Sequence, residues 1–138
     1  MAAAATGRYP AGMSSVFPRR VAIADDSPAF LAAASAHVAE LPGYVLAGTA
    51  STAAQTLALV ASTMPDVLLL DLGLGPHRGM ELLRQLKASP EAPTVVALTL
   101  FHTPEAAAVV KDAGADALVA KETFIAGLGD ALAELFPA

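Results

Sequence analysis

Five polar positions stand where apolar runs stop. Asp25-Asp26 follow RVAIA (Arg20–Ala24), Asp71 follows VLLL (Val67–Leu70), Thr99 follows TVVAL (Thr94–Leu98) and Lys121 follows ALVA (Ala117–Ala120). Taken singly each is ordinary, since charged residues usually sit on the surface at the start of a loop. Brought to one place they are not. Three carboxylates in proximity repel and raise one another's pKa. A fold keeps such a group when a cation compensates it, and an all-oxygen donor set suits a hard divalent ion, Mg²⁺ above all. Mg²⁺ takes one or two carboxylates and completes its shell with water and phosphate oxygens. The lysine supplies a further positive charge, and the assembly fits an acidic pocket that becomes complete when a phosphoryl group arrives.

What must position these residues is a set of strands read at one end. The apolar runs, together with VLAGTA (Val45–Ala50), are near-continuous rather than alternating. That is the pattern of parallel strands buried on both faces. Helical stretches separate them. Ser27-Pro28 offers an N-cap with proline at the first helical position, followed by a stripe of Phe30, Leu31, Ala34, Val38 and Leu41, ended by Pro42-Gly43. Thr52 with Gln55 reads as a capping box for a second helix that Pro65 stops. Met80, Leu83 and Leu86 suit a third helix, ended near Ser89-Pro90. Thr103-Pro104-Glu105 opens a fourth, with Gly114 as the residue just past its end. The fifth runs from about Thr123 to Leu135 with Phe124, Leu128, Leu132 and Leu135 on one side. Five βα units with short connections predict a doubly wound α/β domain with a parallel five-stranded sheet. Such folds bind ligands at the carboxyl ends of the strands, where the five polar positions lie.

Composition narrows the class further. The chain has 138 residues, 55% hydrophobic and 15% charged, with no cysteine and a net charge of −5. Its length suits one domain. The absence of cysteine excludes disulfides, a thiolate zinc site and a cysteine nucleophile. The negative charge argues against direct nucleic-acid binding, which rests on Lys and Arg. No stretch approaches the ~18 apolar residues of a membrane span. Arg8, Tyr9 and Pro10 interrupt the N-terminal apolar stretch before a signal-peptide core could form, so a cytoplasmic location is expected. Residues 1–18 lack periodicity and are expected to be a flexible leader, with the domain at residues 19–138. His37, His77 and His102 are expected at solvated positions.

The order DD, D, T, K at successive strand ends resembles the receiver domain of bacterial response regulators over roughly Arg20 to Leu135. Gly79 stands eight residues after Asp71, where receivers carry a loop glycine, and Asp112-Ala-Gly-Ala-Asp116 resembles the family's turn before strand five. The stretch LTLFHTPEAAAVVKDAGADALVAKETF is most like receivers of LuxR-type regulators.

The resemblance implies a flavodoxin-like (β/α)5 domain with strand order 2-1-3-4-5. It also implies a response regulator in phosphorelay signal transduction, a signalling domain rather than an ordinary enzyme. Asp71 would take a phosphoryl group from a sensor histidine kinase or a histidine phosphotransfer protein. Asp26 would bind Mg²⁺ directly and Asp25 through water, with the Asp71 carboxylate and the Gly73 backbone carbonyl completing the protein ligands. Lys121 would pair with Asp71 and then with a phosphoryl oxygen, and Thr99 would donate to another. Readout would pass through the face of helix four, strand five and helix five, which could also form a homodimer.

Four positions depart from the family pattern. Leu118 replaces the usual Tyr or Phe of the switch. Glu122 replaces a proline that is commonly in a cis peptide, so a trans bond or local strain is expected there. Leu100 replaces a small residue beside Thr99, and Gly75-Pro76 shift a familiar proline by one place. These leave open a phosphorylation-independent interaction module, or the receiver half of a longer DNA-binding regulator, since 138 residues leave no room for a helix-turn-helix. A small enzyme fits less well: a haloacid-dehalogenase-type phosphatase needs an acid where Gly73 stands, and a flavodoxin needs a phosphate loop where Asp-Asp-Ser-Pro stands.

Overall fold

The computed structural model describes residues 17–74, 78–100 and 102–137. Its elements are β1 (Arg19–Ala24), α1 (Pro28–Glu40), β2 (Tyr44–Ala50), α2 (Ala53–Thr63), β3 (Val67–Asp71), α3 (Arg78–Lys87), β4 (Thr94–Thr99), α4 (Pro104–Asp112), β5 (Ala117–Ala120), a 3₁₀ turn (Lys121–Thr123) and α5 (Phe124–Leu135). All strand pairs are parallel, in the order β2-β1-β3-β4-β5. The expected doubly wound architecture is therefore the observed one. Of the expected leader, residues 1–16 lie outside the described residues, as do Gly75, Pro76 and His77.

Two cores sandwich the sheet. Val21, Ile23, Val67, Leu69, Val96, Leu98 and Val119 pack against Ala34 and Val38 of α1 and Phe124, Leu128 and Leu132 of α5. The alternate residues Ala22, Ala24, Leu68, Leu70, Val95 and Ala97 pack against Leu82, Leu83 and Leu86 of α3 and Val110 of α4. β3 is buried at all five residues, so its leucines contribute roughly 1.5–3 kcal/mol each. This is why the central strands read as unbroken apolar runs.

β2 corrects the expectation that every run is buried on both faces. Val45 and Leu46 are 41% and 38% exposed, because β2 is an edge strand covered by a neighbour on one side only. Its register with β1 also slips: Val21 faces Leu46 but Ala22 faces Gly48. Ala47 is thus an extra residue, and such bulges discourage edge-to-edge pairing.

The caps are those expected. Ser27 Oγ accepts from Phe30 N at 3.2 Å, Thr52 Oγ1 from Gln55 N at 3.1 Å and Thr103 Oγ1 from Ala106 N at 3.0 Å. The capping box is modified: Gln55 Oε1 accepts from Ser51 N at 2.9 Å rather than from the cap residue itself. Gly114, just past α4, takes φ +115°, a conformation that costs glycine little and other residues much. His37 corrects the solvated expectation: it is half-buried, with its ring edge-on to Phe124 at 5.7 Å. His102 is exposed.

Candidate phosphoacceptor and metal site

Strand register alone brings the polar positions together. Ala24 pairs with Leu70, so Asp25 and Asp71 emerge side by side from β1 and β3. Asp71 pairs with Leu98, which places Thr99 one residue further along β4. Thr99 pairs with Ala120, which places Lys121 just beyond β5. Asp71 and Thr99 are the last residues of their strands rather than the first of the loops. The chain turns to opposite sides of the sheet after β1 and β3, so the cluster sits at the topological switch point.

The two buried acids are held alike. Asp25 is fully buried and Asp71 is 5% exposed. Asp25 Oδ1 accepts from Ser27 N at 2.8 Å, and Asp71 Oδ1 accepts from Gly73 N at 3.0 Å. Each carboxylate is therefore fixed by the amide two residues ahead of it, an Asx-type turn. The remaining oxygens both face Lys121. Its Nζ lies 2.7 Å from Asp25 Oδ2 and 3.6 Å from Asp71 Oδ2. The resemblance implied a partnership of Lys121 with Asp71; the shorter ion pair is with Asp25.

Asp26, exposed at the mouth, completes an acidic cluster in which one ligand oxygen each from Asp25, Asp26 and Asp71 lie within 4.8 Å of one another. Burial raises the Asp71 pKa above the ordinary aspartate value, the Gly73 hydrogen bond opposes this, and the charge of Asp25 adds to it. Lys121 opposes the rise and Asp26 adds to it, both more weakly. For Lys121 burial works downward, but the hydrogen bond to Asp25 and the charges of Asp71 and Asp25 outweigh it and hold the ammonium above its ordinary value. The donor set is hard, anionic and incompletely compensated, and so fits a divalent cation.

Close packing fixes the loop behind Asp71. A side-chain carbon at Gly79 would lie 2.2 Å from the Leu72 carbonyl oxygen and 2.5 Å from its carbon. The glycine eight residues past Asp71 is thus required by the approach of α3 to the backbone between Asp71 and Gly73. Leu118 is half-buried and packs on the core beneath α3 and α4. Leu100 is 62% exposed beside Thr99. Among the described residues there is no cis peptide, so the Lys121–Glu122 bond is trans.

Sequence reasoning missed one member of the site. Phe30 was legible only as part of the α1 stripe, yet its ring lies under the Lys121 ammonium, 4.5 Å from Nζ to the ring centre.

The response regulator receiver domain model matches residues 21–133, and the chain belongs to that family. It is 36% identical over 111 residues to protein-glutamate methylesterase/protein-glutamine glutaminase 2 of Cereibacter sphaeroides, covering 80% of this chain and 30% of that protein. It is 26% identical over 110 residues to the nitrate/nitrite response regulator protein NarL of Escherichia coli, covering 80% and 51%. Among solved structures it is similar to a LuxR-family two-component response regulator from Aurantimonas, with TM-score 0.78 and 25% identity over 86% of this chain and 84% of that one. The chain spans about a third to a half of the length of these curated relatives. Receiver domains bind Mg²⁺ in an acidic pocket and interact with histidine kinases or phosphotransfer proteins. Among the described residues no helix is long and apolar enough to cross a membrane.

Proposed function

We propose that Asp71 accepts a phosphoryl group from the phosphohistidine of a kinase or phosphotransfer protein, and that the resulting charge switches protein contacts in cytoplasmic phosphorelay signalling. The observation that carries this is the convergence of three carboxylates within 4.8 Å on a lysine that reaches two of them. A carboxylate oxygen of Asp71 attacks phosphorus. The P–N bond breaks, its electron pair returns to the imidazole, and an acyl phosphate remains. Asp25, Asp26, Asp71 and the Gly73 carbonyl would hold Mg²⁺, which when bound neutralises phosphoryl charge. Lys121 draws a phosphoryl oxygen by charge, and Thr99 donates its hydroxyl to another. Gly73 N fixes the carboxylate so that it needs no reorientation to react.

The readout surface follows from the same placement. A groove of about 530 Å³ runs along β5 between α4 and α5, lined by Lys111, Leu118 and Asp130 among others. It is the face for a partner or a second copy.

Incubation with Mg²⁺ and acetyl phosphate is expected to add one phosphoryl mass, mapping to Asp71 and absent from Asp71→Asn. No adduct with acetyl phosphate and no BeF₃⁻ complex would overturn the reading. Leu118 favours a second one, a module that binds partners without phosphorylation, because a half-buried leucine at this position offers no aromatic ring to swing inward. Partner binding unchanged by Asp71→Asn would support that alternative.

A further inference from the structure

We propose that Phe30 is a positioning residue for phosphoryl transfer, its ring face holding the Lys121 ammonium between Asp25 and Asp71. The inference rests on the role proposed for Asp71.

Lysine ends in a compact charge on four rotatable carbons, and fixing it costs up to about 2 kcal/mol of rotamer entropy. Two carboxylates define a line along which that charge can slide. The ring supplies a third contact and turns the line into a place: Nζ is 2.7 Å from Asp25 Oδ2, 3.6 Å from Asp71 Oδ2 and 4.5 Å from the Phe30 ring centre.

Phe30 is itself fixed from two directions. Its backbone N–H donates to Ser27 Oγ at 3.2 Å, while Ser27 N donates to Asp25 Oδ1 at 2.8 Å. One turn therefore sets both the carboxylate and the ring between which the ammonium sits. From the other side Phe124, 3% exposed, meets the Phe30 ring edge-on, with centroids 5.2 Å apart and planes at 69°. Phe124 is three residues after Lys121, so the turn that carries the ammonium also braces the ring beneath it. Phe30 is half-buried, whereas Ala34 and Val38 of the same stripe are fully buried; it stands at the rim, not in the centre of the core.

A π face suits this task better than a third carboxylate. It attracts a cation by its quadrupole without dictating where the N–H bonds point. The three ammonium donors stay free to exchange Asp25 for a phosphoryl oxygen while the charge remains in place.

The test compares wild type, Phe30→Leu and Phe30→Tyr in the full chain, each checked for folding by its thermal midpoint. Phosphorylation by acetyl phosphate in Mg²⁺ is expected to slow about three- to tenfold in Phe30→Leu, a loss on the scale of one cation–π contact, and to stay within about twofold of wild type in Phe30→Tyr, which keeps the ring. In a Lys121→Ala background Phe30→Leu is expected to change the residual rate no further, since the two residues act through one contact. An equal loss in both backgrounds, or none in either, would overturn the proposal. Proton NMR of the Lys121 ε-methylene gives an arm independent of phosphorylation: upfield ring-current shifts in wild type and Phe30→Tyr, lost in Phe30→Leu. Unshifted resonances in wild type would also overturn it. Shifted resonances in a wild type that takes no phosphoryl group would refute the role proposed for Asp71, and with it the positioning role, while leaving the ring contact established.

Discussion

The two ends of the sheet use aspartate in opposite ways. At the amino ends of the strands Asp66 and Asp116 stand apart, and each ties its own strand to a neighbour. Asp66 accepts from Arg20 N at 2.8 Å and returns its own N–H to Arg20 O at 2.9 Å. Asp116 accepts from Val95 N at 2.8 Å, returns its N–H to Val95 O at 2.8 Å, and pairs with Lys87 at 2.9 Å. At the carboxyl ends one carboxylate oxygen of Asp25 and one of Asp71 accept from amides of their own turns, and among the described residues neither carboxylate bridges to another strand's backbone. Their second oxygens both face the single ammonium of Lys121, with the carboxylate of Asp26 alongside. An acid that cross-links strands has its charge consumed by the fold. An acid held by its own turn keeps charge available, at a cost in stability that a ligand can repay.

That contrast can be broken first at the backbone that shapes the carboxyl end. Gly79→Ala would place a carbon 2.2 Å from the Leu72 carbonyl oxygen, and backbone cannot yield as a flexible side chain can. We expect a loss of about 3 kcal/mol, read by urea denaturation, together with weakened Mg²⁺ binding because Leu72 lies between Asp71 and Gly73. Asp116→Ala attacks the other end. Its ion pair with Lys87 is partly exposed and contributes little, but Val95 N loses its acceptor, so about 2 kcal/mol is expected. Here Mg²⁺ and BeF₃⁻ affinities are expected to stay at wild-type values. A fall in either would show that the two ends are not separable.

Much of this was readable in advance, for a physical reason. β3 and β4 are buried on both faces, so their residues have to be apolar, and the polar residue that ends each run announces itself. Parallel register then brings four strand ends, of β1, β3, β4 and β5, into one cluster without any further choice. What could not be read was cross-element contact. Phe30 obeys the helical stripe whether it faces the core or a lysine, and nothing in its spacing reveals Lys121 ninety-one positions later. The same holds for the shorter of the two lysine ion pairs: Asp25 and Asp71 are equivalent in pattern, and only the turn geometry places Nζ nearer to Asp25. The exposure of β2 was hidden in its composition, since VLAGTA reads as apolar as a central strand, and only the strand order implied by the resemblance put it at an edge.

The smallest expected effect is the most diagnostic, because its sign is unusual for a substitution at a nearly buried site. Burial and the neighbouring Asp25 raise the Asp71 pKa in the folded protein. The folded state thus holds this proton more tightly than the unfolded chain, and ionisation of Asp71 lowers stability as pH rises through the folded-state value. The cost grows as the pH rises through the folded-state value; below the ordinary aspartate value of 3.8 it is absent. Asp71→Asn keeps an oxygen for Gly73 N and removes the charge. It is expected to be more stable than wild type at pH 7, by less than either substitution above costs, with the gap closing as the pH falls toward the ordinary aspartate value. Mg²⁺ should stabilise wild type by mass action and Asp71→Asn less. A variant that is less stable than wild type at pH 7, or equally stabilised by Mg²⁺, would mean that Asp71 belongs with Asp66 and Asp116 as an acid the fold has already spent.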